Sequence, residues 1–269
     1  MKQLTLVPFG GLCNRMRAIA SGVFLTRHYD CHIHILWNNS YGLKADFQDL
    51  FEPIDMDDIQ IDENKKWLYK IENTKDYLLR YIPLHIVGNK IIFNFDRYTD
   101  GDIMPLISPA KTEKLMLISC CSMSEHYHLN ELFVPKPDIQ EKIDNITKNF
   151  SPNTIGIHIR RTDNIESIKR SPLEAFFPML DREIEKDNHV MFFLASDDAE
   201  TKDILLKKYP NRIITYHEEV SRNTCAGMKA AVADLFALSK TNKIIGSDFS
   251  SYSNIAAELG DINIEFATK

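Results

Sequence analysis

The run Thr154-Ile155-Gly156-Ile157-His158-Ile159-Arg160-Arg161-Thr162-Asp163 decides the fold. Its first half is a short, mostly β-branched apolar stretch, the composition of a strand covered on both faces, and it stops at two arginines. A strand is predicted over Thr154–Arg160. It is followed by a helix over Pro172–Lys186 with Ser171 as candidate N-cap, a strand over Val190–Ala195, a helix over Ala199–Tyr209 and a strand over Arg212–Tyr216. A helix over Ala226–Ser239, a strand over Lys243–Ile245, a helix over Ser253–Leu259 and a strand over Asn263–Phe266 complete the pattern. Strict strand–helix alternation with apolar strands implies a parallel sheet with helices on both faces.

The opening of the chain repeats this logic. A strand over Gln3–Val7, a glycine turn, a helix over Asn14–Tyr29 and a strand over Cys31–Trp37 form a βαβ unit, with Met16, Ile19, Val23 and Thr26 at helical spacing. A short helix is expected over Leu43–Phe51, loops with short strands over Ile54–Pro109, and a strand over Lys114–Ser119. Pro135 and Pro137 interrupt the chain, and a helix over Asp138–Phe150 leads into the second half. The expected organisation is therefore two domains, residues 1–135 and 136–269.

Composition narrows the function classes. The 269 residues are 44% apolar and 26% charged, which is ordinary for a globular domain and excludes a disordered chain. Lys+Arg is 32 and Asp+Glu 38, a net charge of −6, which argues against broad nucleic-acid binding but permits a local basic pocket for one anion. Cys13, Cys31, Cys120, Cys121 and Cys225 show no CxxC spacing, so neither a disulfide framework nor a zinc site is expected. The first apolar run is stopped by Gly10-Gly11, too soon for a signal peptide, and no transmembrane segment is expected. These readings point to a cytoplasmic protein.

Open α/β sheets bind ligands at the carboxyl ends of their strands. Gly10-Gly11-Leu12-Cys13-Asn14-Arg15 lies at one such end, where glycines let a ligand approach the backbone and a helix N-terminus presents N–H groups to an anion. It is not the GxGxxG dinucleotide pattern, and a tight turn capped by Asn14 is its bland alternative. Arg160 and Arg161 end what should be a central strand, where burying them without an anion is expensive; a diphosphate would supply the charge. The bland alternative pairs one arginine with Asp163 and leaves the other in water. His158 alone reads as readily as a core histidine with one hydrogen bond. Ser247-Asp248-Phe249-Ser250-Ser251-Tyr252-Ser253 places hydroxyls at a helix start, either a phosphate cradle or a plain serine cap.

Two carboxylate features remain. Asp197-Asp198 follows the strand Val190–Ala195 and could hold a metal, a ribose or an acceptor hydroxyl, or else cap the next helix. Asp234 stands among apolar helix residues, as a structural anchor or a reader of a base.

In this order, Gly10-Gly11-Leu12-Cys13-Asn14-Arg15, His158-Ile159-Arg160-Arg161-Thr162-Asp163, Phe193-Leu194-Ala195-Ser196-Asp197-Asp198 and Asp234-Leu235-Phe236-Ala237-Leu238-Ser239 with Phe249-Ser250-Ser251 resemble the fucosyltransferase superfamily. This superfamily includes α1,6-, bacterial nodulation and protein O-fucosyltransferases. The resemblance implies a GT-B-like α/β fold, two Rossmann-type domains with mainly parallel sheets facing a cleft. It implies GDP-fucose as donor, a glycan acceptor, inversion at the anomeric carbon and no required metal. Carried over, Arg160 and Arg161 hold the diphosphate with Ser250 and Ser251, His158 and Asp234 contact the nucleoside, and Gly11, Asn14 and Arg15 line the cleft from the first domain. Asp197 and Asp198 belong to the same site. Asn164 stands where the α1,6 enzymes have Lys, and Ile168 where they have Glu. Asp163, Glu166 and Asp197 are thus all candidates for the base that accepts the acceptor's proton, with Arg160 stabilising the leaving diphosphate. Two other readings stay open: a transferase for another nucleotide sugar using Asp197-Asp198 to hold a metal, and a non-catalytic nucleotide- or glycan-binding protein.

Overall fold

The computed structural model describes residues 3–39, 42–63, 90–94, 114–124, 127–216 and 221–269. The chain divides into two compact units, Met1–Lys136 with Arg222–Cys225, and Pro137–Ser221 with Ala226–Lys269. The short segment Arg222–Cys225 thus packs with the first unit although its neighbours in sequence belong to the second. Among the described residues no helix is long and apolar enough to cross a membrane.

The first unit runs β1 (Gln3–Pro8), α1 (Leu12–His28), β2 (His32–Trp37), α2 (Phe47–Leu50), β3 (Ile59–Glu63), β4 (Lys90–Asn94) and β5 (Lys114–Ser119). The strands form one parallel sheet in the order β3-β2-β1-β5-β4. Most of α1 is buried, which suits the run of small and apolar residues from Ala18 to Leu25. The helix expected over Leu43–Phe51 is a single turn, α2. The Trp37 indole N–H donates to the Ala45 carbonyl (2.9 Å), and the Asp46 N–H donates to Asp49 Oδ2 (2.9 Å), so Asp46 starts the helix late. Trp37, Phe47, Phe51 and Phe133 pack as an aromatic cluster with ring centroids 5.2–6.3 Å apart. Of the region expected as loops with short strands, β3 and β4 are described; residues 64–89 and 95–113 lie outside the described set.

The second unit runs α3 (Pro137–Thr147), β6 (Ile155–Ile159), α4 (Ile165–Arg170), α5 (Leu173–Lys186), β7 (Phe192–Ser196), α6 (Ala199–Lys208), β8 (Ile213–Ile214), α7 (Cys225–Leu238), β9 (Lys243–Gly246), α8 (Ser251–Gly260) and β10 (Asn263–Phe266). Its sheet is parallel throughout, in the order β10-β9-β6-β7-β8. Every residue of β6 and β7 is buried, so their apolar runs do not alternate. Ile157, Ile159, Phe176, Phe192, Leu194 and Ile245 lie at the centre of the core.

Three expectations change here. The strand over Arg212–Tyr216 shortens to β8, because the Thr215 hydroxyl, rather than the ladder, takes the Leu194 carbonyl (2.8 Å). Ser171 is not the N-cap of α5. That position is Pro172, and Ser171 closes α4 with its hydroxyl accepting the Asp248 N–H (2.8 Å). Helix α4 itself has no counterpart in the sequence reading.

In the second sheet, β6 has β7 and β8 on one side and β9 and β10 on the other. The strand order therefore reverses between β6 and β9, whose carboxyl ends are the topological switch point. In the first sheet the same reversal falls between β1 and β5.

Candidate functional site

The two loops at the switch point of the second sheet are built as one piece. The Ser247 N–H donates to the His158 carbonyl (3.0 Å), and the Arg160 N–H donates to Ser247 Oγ (3.0 Å), so the end of β6 is stitched to the end of β9. A side chain at Gly246 would place Cβ 2.7 Å from Ser253 Cβ and Oγ, so only glycine lets α8 pack this closely. That approach puts Ser253 Oγ 2.7 Å from His158 Nδ1.

His158 is buried and its ring is stacked on Tyr252, centroids 4.6 Å apart. Burial, reinforced by the Arg160 cation, pushes its pKa down to about 3, so the imidazole is neutral. The Tyr252 hydroxyl donates to the Ala231 carbonyl on α7 (2.6 Å), and Asp234 stands one turn further along, 8% exposed. His158 and Tyr252 are thereby tied to α7, the helix that carries Asp234.

The chain turns directly after β6, and Asp197 makes the turn. Its carboxylate accepts from the Arg161 N–H (2.8 Å), the Thr162 N–H (3.3 Å) and the Thr162 hydroxyl (2.5 Å), and Arg160 Nη1 lies 3.0 Å away. Burial alone would raise its pKa; the Arg160 charge, the Thr162 hydroxyl and the Arg161 N–H outweigh it and hold it low. Arg160 is also paired with Asp163. Its cost of burial is thus met largely inside the protein. Arg161 takes a different course: Nη2 donates to the Ser171 carbonyl (3.0 Å), while the buried Nε has no hydrogen-bond partner. Burial pushes its pKa down, against the nearby charges of Glu174, Asp198 and Asp197.

Asp198 is the N-cap of α6, accepting from the Thr201 N–H (2.8 Å) and hydroxyl (2.6 Å). The two carboxylates of Asp197-Asp198 therefore serve separate partners and do not form a paired ligand set. Glu166 lies on α4 and accepts from Arg170 Nε (2.9 Å). Asn164 caps α4, its Oδ1 accepting the Ser167 N–H (3.1 Å) and its Nδ2 donating to the Phe249 carbonyl (2.9 Å). Ile168 lies half-buried on the same helix.

The serine-rich segment divides into two roles. Ser247 and Ser253 are committed to Arg160 and His158. Ser250 is the N-cap of α8 and makes no capping hydrogen bond with its side chain, and Ser251 is the first helical residue. No acidic residue occupies the first turn of α8, so its helix N-terminus carries no carboxylate of its own there.

In the first unit, Gly10 carries the positive φ (+82°), and an added Cβ would lie 3.0 Å from Asn14 Nδ2. Gly11 is extended and is the N-cap of α1; Asn14 is inside the helix and not its cap. Arg15 is buried against Trp37, 5.0 Å from the ring centroid, with Nε donating to the Gly10 carbonyl (2.8 Å) and Nη1 bonded to the Asn38 carbonyl. It is an internal strut that shapes the loop. A different arginine is near the loop: Arg222 Nη2 lies 3.6 Å from the point where a Gly11 Cβ would be, and its carbonyl accepts the Lys44 N–H (2.9 Å). Sequence reasoning missed Arg222, which is remote in the chain, and it missed Thr162 and Tyr252, which stand inside motifs already singled out.

No family model matches the chain, and no curated protein matches it. Solved structures do. The NodZ α-1,6-fucosyltransferase soaked with GDP-fucose has a TM-score of 0.62 at 14% identity, over 96% of this chain and 93% of that one. A mutant of Arabidopsis thaliana FUT1 in complex with GDP has a TM-score of 0.60 at 15% identity, over 98% of this chain and 70% of that one. POFUT1 in complex with GDP-fucose has a TM-score of 0.58 at 11% identity, over 98% of each chain. At such identities the likeness is one of fold: the chain has the GT-B-like α/β fold, with two Rossmann-type parallel sheets.

Proposed function

We propose that the protein is a glycosyltransferase that moves fucose from GDP-fucose to a glycan hydroxyl, with inversion and without a required metal. The observation that carries this reading is that the Arg160 loop after β6 is bonded through Ser247 to the β9 loop that leads, at the same topological switch point, into the start of α8 at Ser250–Ser251, where the N-cap makes no side-chain capping hydrogen bond. Loss of a nucleoside diphosphate places growing negative charge on phosphate, and fixed donors at that phosphate stabilise it as it forms. The likeness in fold to proteins solved with GDP or GDP-fucose supports the choice of donor.

In this reading the unit that begins at Pro137 takes the donor. Arg160, Ser250, Ser251 and the α8 N–H groups receive the diphosphate. His158, kept neutral, and Asp234 flank the nucleoside. Arg161 and Asp198 act at one remove, by fixing the turn and the start of α6. Asp197, already accepting several hydrogen bonds and held as an anion, is a poor proton acceptor and serves as a positioning residue. The base is then Asp163 or Glu166, both about half exposed at the mouth of the loop. Gly11 and Asn14 of the first unit belong to the acceptor side.

A second reading rests on Asn164. Its side chain clamps α4 to the Phe249 loop, a structural use of a position where the α1,6 enzymes have a charged group, as suits a protein that binds nucleotide without turning it over. Release of GDP from GDP-fucose in the presence of candidate glycans, with and without EDTA, separates the two. Turnover that persists in EDTA and falls by about 10²–10³-fold in Arg160→Ala is expected. GDP binding with no turnover on any acceptor supports the second reading, and full loss with EDTA removes the metal-free mechanism.

A further inference from the structure

Phe249 combines two unfavourable features. It is 59% exposed, and its φ is +57°, the left-handed region that a residue with a β-carbon rarely adopts. The surroundings hold it there. The Asp248 N–H donates to Ser171 Oγ (2.8 Å), the Asp248 carbonyl accepts the Ser167 hydroxyl (2.7 Å), the Phe249 N–H donates to Asp248 Oδ1 (2.7 Å), and the Phe249 carbonyl accepts Asn164 Nδ2 (2.9 Å). The Arg170 guanidinium lies 4.9 Å from the ring centroid, on one face, and is itself fixed by Glu166 (2.9 Å) and Asp248 (3.4 Å). Strain maintained by this many contacts marks a position whose side chain is used.

We infer that Phe249 is a stacking platform for one sugar ring of the acceptor glycan. The inference rests on the transferase reading above and names the class of substrate that this edge of the site takes. With Arg170 on one face, the exposed ring offers the other to solvent. A pyranose presents a face of polarised C–H groups and a rim of hydroxyls. The negative face of the ring attracts the first, and Arg170 beside it, with Glu166 and Asp248 bonded to that arginine, supplies donors and acceptors for the second. The plate suits one ring and not a protein partner: among the described residues the exposed large hydrophobics are Val134, Ile165, Ile204 and Phe249, and only Ile165, next to Asn164, belongs to this edge. A nucleobase also stacks on aromatics, but Phe249 packs with Arg170 of α4, itself bonded to Glu166, whereas His158 is stacked on Tyr252, whose hydroxyl is tied to α7.

The test uses the full chain with GDP present and four probes: cellotetraose, N-acetylchitotetraose, mannotriose and N-acetyllactosamine. Sugar binding is read by saturation-transfer NMR and GDP binding by calorimetry, for wild type and for Phe249→Ala, Phe249→Gly and Phe249→Trp. At least one probe should bind wild type with transfer to its ring C–H protons. Its affinity should fall about tenfold in the Ala and Gly variants and be retained in the Trp variant, with GDP affinity unchanged. Phe249→Gly relieves the backbone, so its thermal midpoint should equal or exceed that of wild type, which separates lost stacking from lost folding. Unchanged sugar affinity in the Ala and Gly variants, no sugar binding to wild type, or a parallel loss of GDP affinity would each overturn the assignment. Failure of wild type to bind GDP would instead sink the choice of donor, and the sugar measurements would still judge Phe249.

Discussion

Asp197 Oδ2 stands 3.0 Å from Arg160 Nη1, while the other oxygen of the same carboxylate accepts the Arg161 N–H at 2.8 Å. One acid thus orients the guanidinium and fixes the turn that presents it.

Asp197→Asn keeps the shape of the side chain but removes the charge. A buried pair broken on one side typically loses about 3–5 kcal/mol, and the retained contact with Asp163 should hold the loss to the lower end. Urea unfolding should show this loss. GDP affinity measured on the folded fraction should fall as well, because Arg160 is no longer aimed. Unchanged GDP affinity would remove Asp197 as a positioning residue.

His158 gives stability a specific pH dependence. Its folded pKa of about 3 lies below the ordinary value of 6.5, so the unfolded chain binds the proton first. Stability from this group is complete above pH 6.5 and is lost as pH falls from there toward 3. In His158→Gln the slope of stability against pH between 6.5 and 4.5 should flatten, as read by denaturant unfolding at a series of pH values. An undiminished slope would mean that other groups account for it.

Glu183 acts in a lower window. Burial works against its ionised form, but hydrogen bonds from Lys186, Lys243 and Arg182, with the Lys243 charge, outweigh it and bring its pKa to about 2 from 4.5. This contribution is present above pH 4.5 and is lost as pH falls toward 2. Glu183→Gln should cost on the order of 2 kcal/mol at neutral pH and almost nothing near pH 2, since its partners are partly exposed and screened. Thermal midpoints at pH 7 and pH 2.5 check both halves of this statement.

Gly246→Ala tests the packing that serves His158. A methyl group 2.7 Å from Ser253 forces α8 away from β9, at a cost of about 1–3 kcal/mol. The His158–Ser253 hydrogen bond should lengthen, and GDP affinity should fall along with stability. A variant as stable as wild type would show that α8 shifts freely and that the glycine is not needed for the approach.

Much of the fold could be read from the chain alone because its signals are local. The apolar runs at Ile155–Ile159 and Phe192–Ser196, separated by a helix-length segment, announce buried parallel strands without reference to anything distant. Glycine and proline mark the breaks, and the strand at Lys114–Ser119 and the last strand at Asn263–Phe266 lie where expected. The short pieces were harder. Helix α4 is six residues long and is held by Asn164 at its start and by Ser167 and Arg170 reaching the 248–249 loop, contacts that no periodicity encodes.

The order of residue types along the chain determined that arginines, serines and acids collect where parallel strands end, since a strand's direction and its loop follow from the local pattern. Only the tertiary structure decided which of those groups are spent on the protein itself. Arg15 and Arg160 read alike as candidate anion donors, yet one is walled in against Trp37 and the other is held at a loop by Asp197 and Asp163. Ser247 and Ser253 are committed to neighbouring groups, whereas Ser250 makes no side-chain capping bond at the start of α8. The physical reason is that a polar group's free energy depends on the partners and the solvent that long-range packing brings to it, and the spacing of neighbours in sequence does not specify either.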